Sequence, residues 1–306
     1  MTARLGTDSR PAAARSVPLV RWLAVAAETS RPRQWPKNLL VFAAPLAGAS
    51  LGRDEGLGYA LAAAGVFTAA SAAVYFVNDV ADADRDRRHP AKRLRPVASG
   101  RFSHMHALAL AAFGVAAAEI VSFSIGEPTL AALVGGYIAL SFLYTVLLKH
   151  IPFVELIFVA GGFMLRALGG AAATHVPPSG WFLVVCSLGA LMVAISKRFT
   201  ELTVLGEDAV RHRPVIRWYS PALLRLSQRV VTIVMITAYL LWASGQSGGW
   251  TRGWHLASAL PLAAALVRFD YLTGRASGQP VEDLIARDGT MVCFELAWLA
   301  LFAVGL

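Results

Sequence analysis

Cysteine is nearly absent from this sequence: of 306 residues only Cys186 and Cys293 carry a thiol, both inside apolar runs and neither with a partner at metal-ligand spacing. That excludes a disulfide framework and a thiolate zinc site. Charge is scarce as well. Only 15% of the residues are Asp, Glu, Lys or Arg, whereas 56% are hydrophobic and the mean hydropathy is +0.55; soluble domains carry about 25% charged residues. A soluble domain is therefore excluded, and an integral membrane protein is expected. The amino-terminal stretch lacks an unbroken apolar core followed by a small-residue cleavage site, so no signal peptide is expected there. Residues 1–35 read instead as a basic tail that includes an interfacial helix over 18 to 29, and residues 36–306 as the membrane-spanning domain.

What the chain does have is apolar runs. A transmembrane helix needs about 20 mostly apolar residues, and nine stretches qualify as candidates: 36 to 51, 58 to 78, 104 to 123, 128 to 147, 152 to 172, 180 to 196, 228 to 244, 253 to 269 and 289 to 305. The expected fold is all-α and polytopic, with its termini on opposite sides. With the amino terminus placed in the cytoplasm, 25 of the 28 Lys and Arg fall on that side; Arg53 and Arg252 fall on the other, and Arg166 lies within the fifth span. The positive-inside rule sets this orientation in the plasma membrane. The net charge of +9 is then a consequence of topology and gives no reason to expect a nucleic-acid partner. The long polar connections, after spans two and six, are both cytoplasmic, and a cytoplasmic-facing cavity follows.

The densest charge lies in "YFVNDVADADRDRRHPAKRLRPVASG", residues 75 to 100. On a helix turning 100° per residue, Asp79, Asp82 and Asp86 fall within an arc of about 60°, while Asp84 points about 140° from Asp79. Three aligned carboxylates repel one another unless a cation sits among them. Mg²⁺ takes one or two carboxylates and fills its other positions with water and substrate phosphates. Lys92, Arg93 and Arg95, on a loop stiffened by Pro90 and Pro96, supply positive charge for phosphate oxygens left uncovered by the metal. A solvated loop obeying the positive-inside rule explains the basic residues equally well, but not the aligned Asp. His89 reads as a solvated imidazole.

Asn78, Asp79, Asp82 and Asp86 match N-D-x-x-D-x-x-x-D, and "RPVASG" matches R-P-x-x-x-G. In these motifs the chain resembles the UbiA superfamily of intramembrane prenyltransferases. "RPRQWPKNLLVFAAPL" together with the aspartate stretch resembles its actinobacterial decaprenyl-phosphate phosphoribosyltransferase branch. The resemblance implies Asn78, Asp79, Asp82 and Asp86 as metal-binding residues, the three Asp as catalytic, and Mg²⁺ as the cofactor. It also implies phosphoribosyl pyrophosphate as donor, a polyprenyl phosphate as acceptor, and a product used in cell-wall arabinan synthesis.

Members that prenylate aromatic rings carry a second D-x-x-x-D after the sixth span, and this chain has "SKRFTEL" there instead. Lys197, Arg198 and Glu201 are either an ordinary ion-pair group, Lys197 and Glu201 being four residues apart, or a direct phosphate contact; their position favours the contact. Glu155, which follows Tyr144 and Lys149 across a short connection, reads as a ribose or metal contact or as a helix-start carboxylate. Lys37 is the expected phosphate ligand among Arg33, Lys37 and Asn38, beside the interfacial Trp35. Arg166 is expected to pair with Glu119. Residues 282 to 288 receive no role. The alternatives are an aromatic prenyltransferase, disfavoured by the missing acidic motif, and a transporter, disfavoured because polar residues gather at one face and not at the midplane.

Overall fold

Each apolar run closes its backbone hydrogen bonds as a helix, as lipid requires of any segment that crosses it without forming a closed barrel. The computed structural model describes residues 19–52, 55–90, 92–125, 128–148, 151–205, 214–275, 281 and 287–306, and no strand occurs among them. Helix α1 (Leu19–Thr29) leads into a 3-10 segment, Pro32–Phe42, and a short α2 (Ala43–Ala47). Then come α3 (Gly56–Ala81), the short α4 (Ala83–Arg87), α5 (His104–Ser124), α6 (Pro128–Val146), α7 (Val154–Ala173) and α8 (Gly180–Leu205). A 3-10 turn at Pro214–Trp218 precedes α9 (Pro221–Ser244), α10 (Gly249–Gly274) and α11 (Gly289–Gly305).

Among the described residues seven helices, α3 and α5 to α10, are long and apolar enough to cross a bilayer, against nine expected. The last expected span folds as α11, an apolar helix of 17 residues, short of the roughly 20 that a full crossing takes. The first, 36 to 51, is no continuous α-helix. Pro36 lies within the 3-10 segment and Pro45 within α2, and a proline removes a backbone donor and crowds the preceding turn. Because that segment starts at Pro32, the expected boundary at residue 35 falls inside an element.

Two packed groups make up the body. In the first, α3 lies against α5, α6 and α7, and the 3-10 segment lies against α3 and α7; Val41, Phe67, Leu130, Val134 and Tyr137 fill its core. In the second, α8, α9, α10 and α11 pack in sequence around Ile195, Phe199, Ile216, Leu224 and Phe269. The contact of α7 with α8 joins the groups. Helix α1 turns Val25 toward Phe76, Val97 and Phe102 and leaves Leu19, Val20 and Leu23 exposed, the pattern of a helix lying in the membrane interface. Successive spans run antiparallel, so the end of α3, the start of α5, the end of α6, the start of α7 and the end of α8 meet at one face of the bundle. That face carries the charged motifs.

Candidate active site

The aspartate motif spans a helix break. Helix α3 ends at Ala81 and α4 begins at Ala83, yet the Asp82 N–H still reaches the Asn78 carbonyl (2.9 Å) and the Asp86 N–H the Asp82 carbonyl (2.8 Å). The helical register therefore carries through, and Asp79 and Asp86 are both buried at 3% exposure. Their oxygens converge on one guanidinium nitrogen: Arg95 Nη1 lies 2.6 Å from Asp86 Oδ2 and 3.5 Å from Asp79 Oδ1. Arg31 also pairs with Asp79 and sits 4.8 Å over the Tyr75 ring. Arg31 holds a left-handed backbone conformation (φ 55°) as the cap of the 3-10 segment, which is uncommon for a residue with a side chain.

Asp82 stands at the break, where it is partly exposed and 3.3 Å from Arg85, and Asp84 points outward to Arg87 (2.6 Å) as the helical angle predicts. Among the described residues no three His, Cys, Asp or Glu side chains come close enough to hold a metal together. Asn78 is half-buried beside Asp79, while Lys92 and Arg93 lie exposed on the turn Lys92–Leu94. Lys37, within the 3-10 segment, bonds to Gln34.

A second charged cluster forms where α6, α7 and α8 meet. Glu155 is fully buried and accepts from Arg198 Nε at 2.7 Å. Arg198 also binds Glu201 and reaches the Tyr144 hydroxyl (3.4 Å). The structure brings together Tyr144 and Glu155, expected near one another across a short connection, with Arg198 and Glu201, which the sequence places in a separate motif. The sequence reading missed Tyr219, whose hydroxyl donates to Glu155 (3.3 Å) and accepts from the Phe153 N–H (2.8 Å). Burial pushes its phenol up to about 12, so it remains a neutral donor near pH 7. Arg31 was missed too, because nothing in "SRPRQWPKN" separates it from Arg33.

Phe163 stands between Lys197 and Arg166. Lys197 Nζ and Arg166 Cζ each lie 5.9 Å from its ring centre. Arg166 does not pair with Glu119. Its partners are Asn38, Gly162, Ser71 and Tyr137, because α3, α6 and the 3-10 segment close around it.

Lys149 lies outside the described residues, as do residues 282 to 286. From the end of that unassigned segment, Asp288 caps α11 by accepting from the Met291 N–H (2.8 Å) and holds Arg268 at 2.7 and 3.1 Å. The Arg268 guanidinium, aided by the backbone N–H, holds its carboxyl below the usual carboxylate value. That role is structural.

The UbiA prenyltransferase family model matches residues 38–282. The chain is 35% identical over 279 residues to the decaprenyl-phosphate phosphoribosyltransferase of Mycobacterium tuberculosis, covering 88% of this chain and 90% of that one. It is 32% identical over 278 residues to the protein of the same name from Corynebacterium glutamicum, covering 88% and 82%. A UbiA homologue from Archaeoglobus fulgidus, solved with GPP and Mg²⁺, superposes with a TM-score of 0.70 at 15% identity, over 92% of this chain and 98% of that one. At that identity the likeness speaks for the fold. Family match, relatives and architecture agree: this chain is a member of the UbiA prenyltransferase family.

Proposed function

We propose that the chain transfers a 5-phosphoribosyl group from phosphoribosyl pyrophosphate to a polyprenyl phosphate at the cytoplasmic face of the plasma membrane. The carrying observation is that two clusters of paired charges stand at one end of the bundle, Asp79 and Asp86 with Arg31 and Arg95 in one, Arg198 with Glu155 and Glu201 in the other. A donor with a diphosphate at one end and a phosphomonoester at the other brings an anionic group to each. The names borne by the relatives at 32–35% identity support the same reading.

Mg²⁺ fits the first cluster by its donor chemistry, since two buried carboxylates aimed at one point are an oxygen-only set of the number Mg²⁺ commonly uses beside substrate phosphates. Asp79 and Asp86 would hold it; when bound, it supplies positive charge to the pyrophosphate oxygens. The protein's own part is electrostatic. Arg31 and Arg95 stand at the carboxylates and take up phosphate oxygens that approach them. Arg198, fixed by Glu155, Glu201 and Tyr144, presents a preorganised cation toward the second phosphate. In the reaction the ribose C1–O bond to pyrophosphate breaks, pyrophosphate leaves with the electron pair, and a lipid phosphate oxygen forms the new bond to C1. That oxygen is already anionic near neutral pH, so no strong general base is required.

The test is product formation by the purified protein. Labelled phosphoribosyl pyrophosphate and a polyprenyl phosphate should yield labelled lipid, the reaction should stop with EDTA and resume with added Mg²⁺, and the corresponding polyprenyl alcohol should be inert. Prenylation of an aromatic acid from a prenyl diphosphate, with no labelled lipid formed, would overturn the assignment.

A further inference from the structure

Arg166 presents a physical problem that the proposed chemistry leaves unsolved. Its guanidinium is 6% exposed within α7, and among the described residues no carboxylate lies at ion-pair distance. Neutral acceptors hold it instead. Nε donates to Asn38 Oδ1 (2.7 Å), Nη1 to the Gly162 carbonyl (2.6 Å), and Nη2 to the hydroxyls of Tyr137 (2.9 Å) and Ser71 (3.2 Å). It also lies 4.4 Å from the centre of the Tyr137 ring. Asn38 in turn donates to Thr68 (2.9 Å), and Ser71 and Tyr137 share a hydrogen bond (3.1 Å). One side chain thus ties α3, α6, α7 and the 3-10 segment together. A charge kept in the interior without a counter-ion is costly, and its hydrogen bonds show what it holds.

Four residues further along the same face of α7, Gly170 makes the second anchor. A Cβ there would stand 1.7 Å from the Val41 carbonyl oxygen, so only glycine admits the backbone of the 3-10 segment this close. Backbone that departs from the α-helical pattern within a membrane persists only where protein or a cavity covers it, and this 3-10 segment carries Arg31 on Asp79 at one end and Lys37 beside Asn38.

We infer that Arg166 is a positioning residue: by anchoring Asn38 against α7 it fixes the 3-10 segment, and so sets where Arg31 and Lys37 meet the phosphates of the donor. The planar fork is essential, because the point charge of a lysine cannot serve Asn38, Gly162, Ser71 and Tyr137 at once. The kinetic side of this inference rests on the phosphoribosyl-transfer reading.

Three variants test it. Arg166→Lys keeps the charge and loses the fork, Asn38→Leu removes the acceptor, and Asn38→Asp keeps the acceptor while adding a counter-charge. Arg166→Lys and Asn38→Leu should raise donor KM by about tenfold with acceptor KM unchanged, while Asn38→Asp should stay within about threefold of the parent. Partial misfolding lowers the amount of active enzyme, and hence apparent kcat, but leaves KM in place. Amide hydrogen exchange over residues 32–42 supplies a readout independent of any substrate: it should quicken by about tenfold in the first two variants and not in Asn38→Asp. Unchanged exchange in Arg166→Lys overturns the inference whatever the substrate proves to be. A rise in donor KM for Asn38→Asp equal to that for Arg166→Lys also overturns it, because charge rather than anchorage would then be decisive. Altered exchange in a protein that forms no phosphoribosyl lipid would leave the anchor standing and remove the function assigned above.

Discussion

At the scale of single residues, the site is a set of charges each held by a partner of opposite sign. Asp86 and Asp79 share Arg95, Asp79 adds Arg31, and Glu155 shares Arg198 with Glu201. The structure separates these carboxylates from Asp84, which lies on the solvent side with Arg87. Asp86→Asn is therefore expected to lower turnover by at least about 100-fold, the scale of losing one preorganised electrostatic contact. The fold should survive, because Arg95 keeps Asp79 within 3.5 Å. Asp84→Asn removes only an exposed ion pair, commonly worth less than about 1 kcal/mol, and should leave turnover near that of the parent. Equal activities of the two variants, measured on folded protein of matched Tm, would remove Asp86 from the site. Angular spacing on a helix already set Asp84 apart from its neighbours. The helix break at Asp82 was not legible, because the sequence between Ala81 and Ala83 has no proline or glycine to announce it.

At the scale of elements, glycines decide how closely α7 receives its neighbours. A Cβ on Gly169 would stand 2.2 Å from the Phe67 ring, and one on Gly170 would stand 1.7 Å from backbone at Val41. A phenylalanine ring can shift, whereas the Val41 carbonyl belongs to a segment already anchored by Asn38. Gly170→Ala should therefore destabilise by at least the roughly 1–3 kcal/mol typical of overpacking. Gly136 on α6, with nothing within 4 Å of its added Cβ, provides the contrast. There Ala should be neutral or stabilising by up to about 1 kcal/mol, the helix-propensity difference. Thermal unfolding in detergent checks both, and a Gly170→Ala protein as stable as Gly136→Ala would mean that the 3-10 segment is not held against α7. The sequence offers "LRALGGAAA" for this face. Its small residues say that something packs closely there, without saying what.

At the scale of the whole molecule, one end of the bundle gathers Asp79, Asp86, Tyr144, Glu155, Arg198 and Tyr219, drawn from four spans and two connections. Antiparallel neighbours make this unavoidable once the charged motifs sit at alternate span ends. With 25 of 28 basic residues assigned to that side by the nine-span reading, it should face the cytoplasm. A cysteine placed at Arg93 in a background lacking Cys186 and Cys293 should be protected from an impermeant thiol reagent in intact cells and labelled after lysis. A cysteine at Gln246, in the connection between α9 and α10, should label in intact cells. The reverse pattern would invert the orientation and place the site on the outer face.

By itself the sequence determined the class of environment, the positions of the long helices and the aspartate register. Those properties depend on composition and on periodicity along one segment, which the bilayer and the helix impose locally. It also set Tyr144 near Glu155, because a short connection leaves their adjacent spans no other neighbours, whereas the meeting of Arg198 with both came from packing. Only tertiary structure decided the rest. Whether 36 to 51 crosses as an α-helix depended on Pro36 and Pro45 and on the groove at Gly170. The partner of Arg166 was decided by helices that approach from 128 and 95 residues away, at Asn38 and Ser71, and not by the carboxylate of Glu119. Arg31 and Tyr219 enter the site through such distant contacts as well. A charge buried in low dielectric takes whatever partner the packing brings within 3 Å, and no spacing along the chain encodes that meeting.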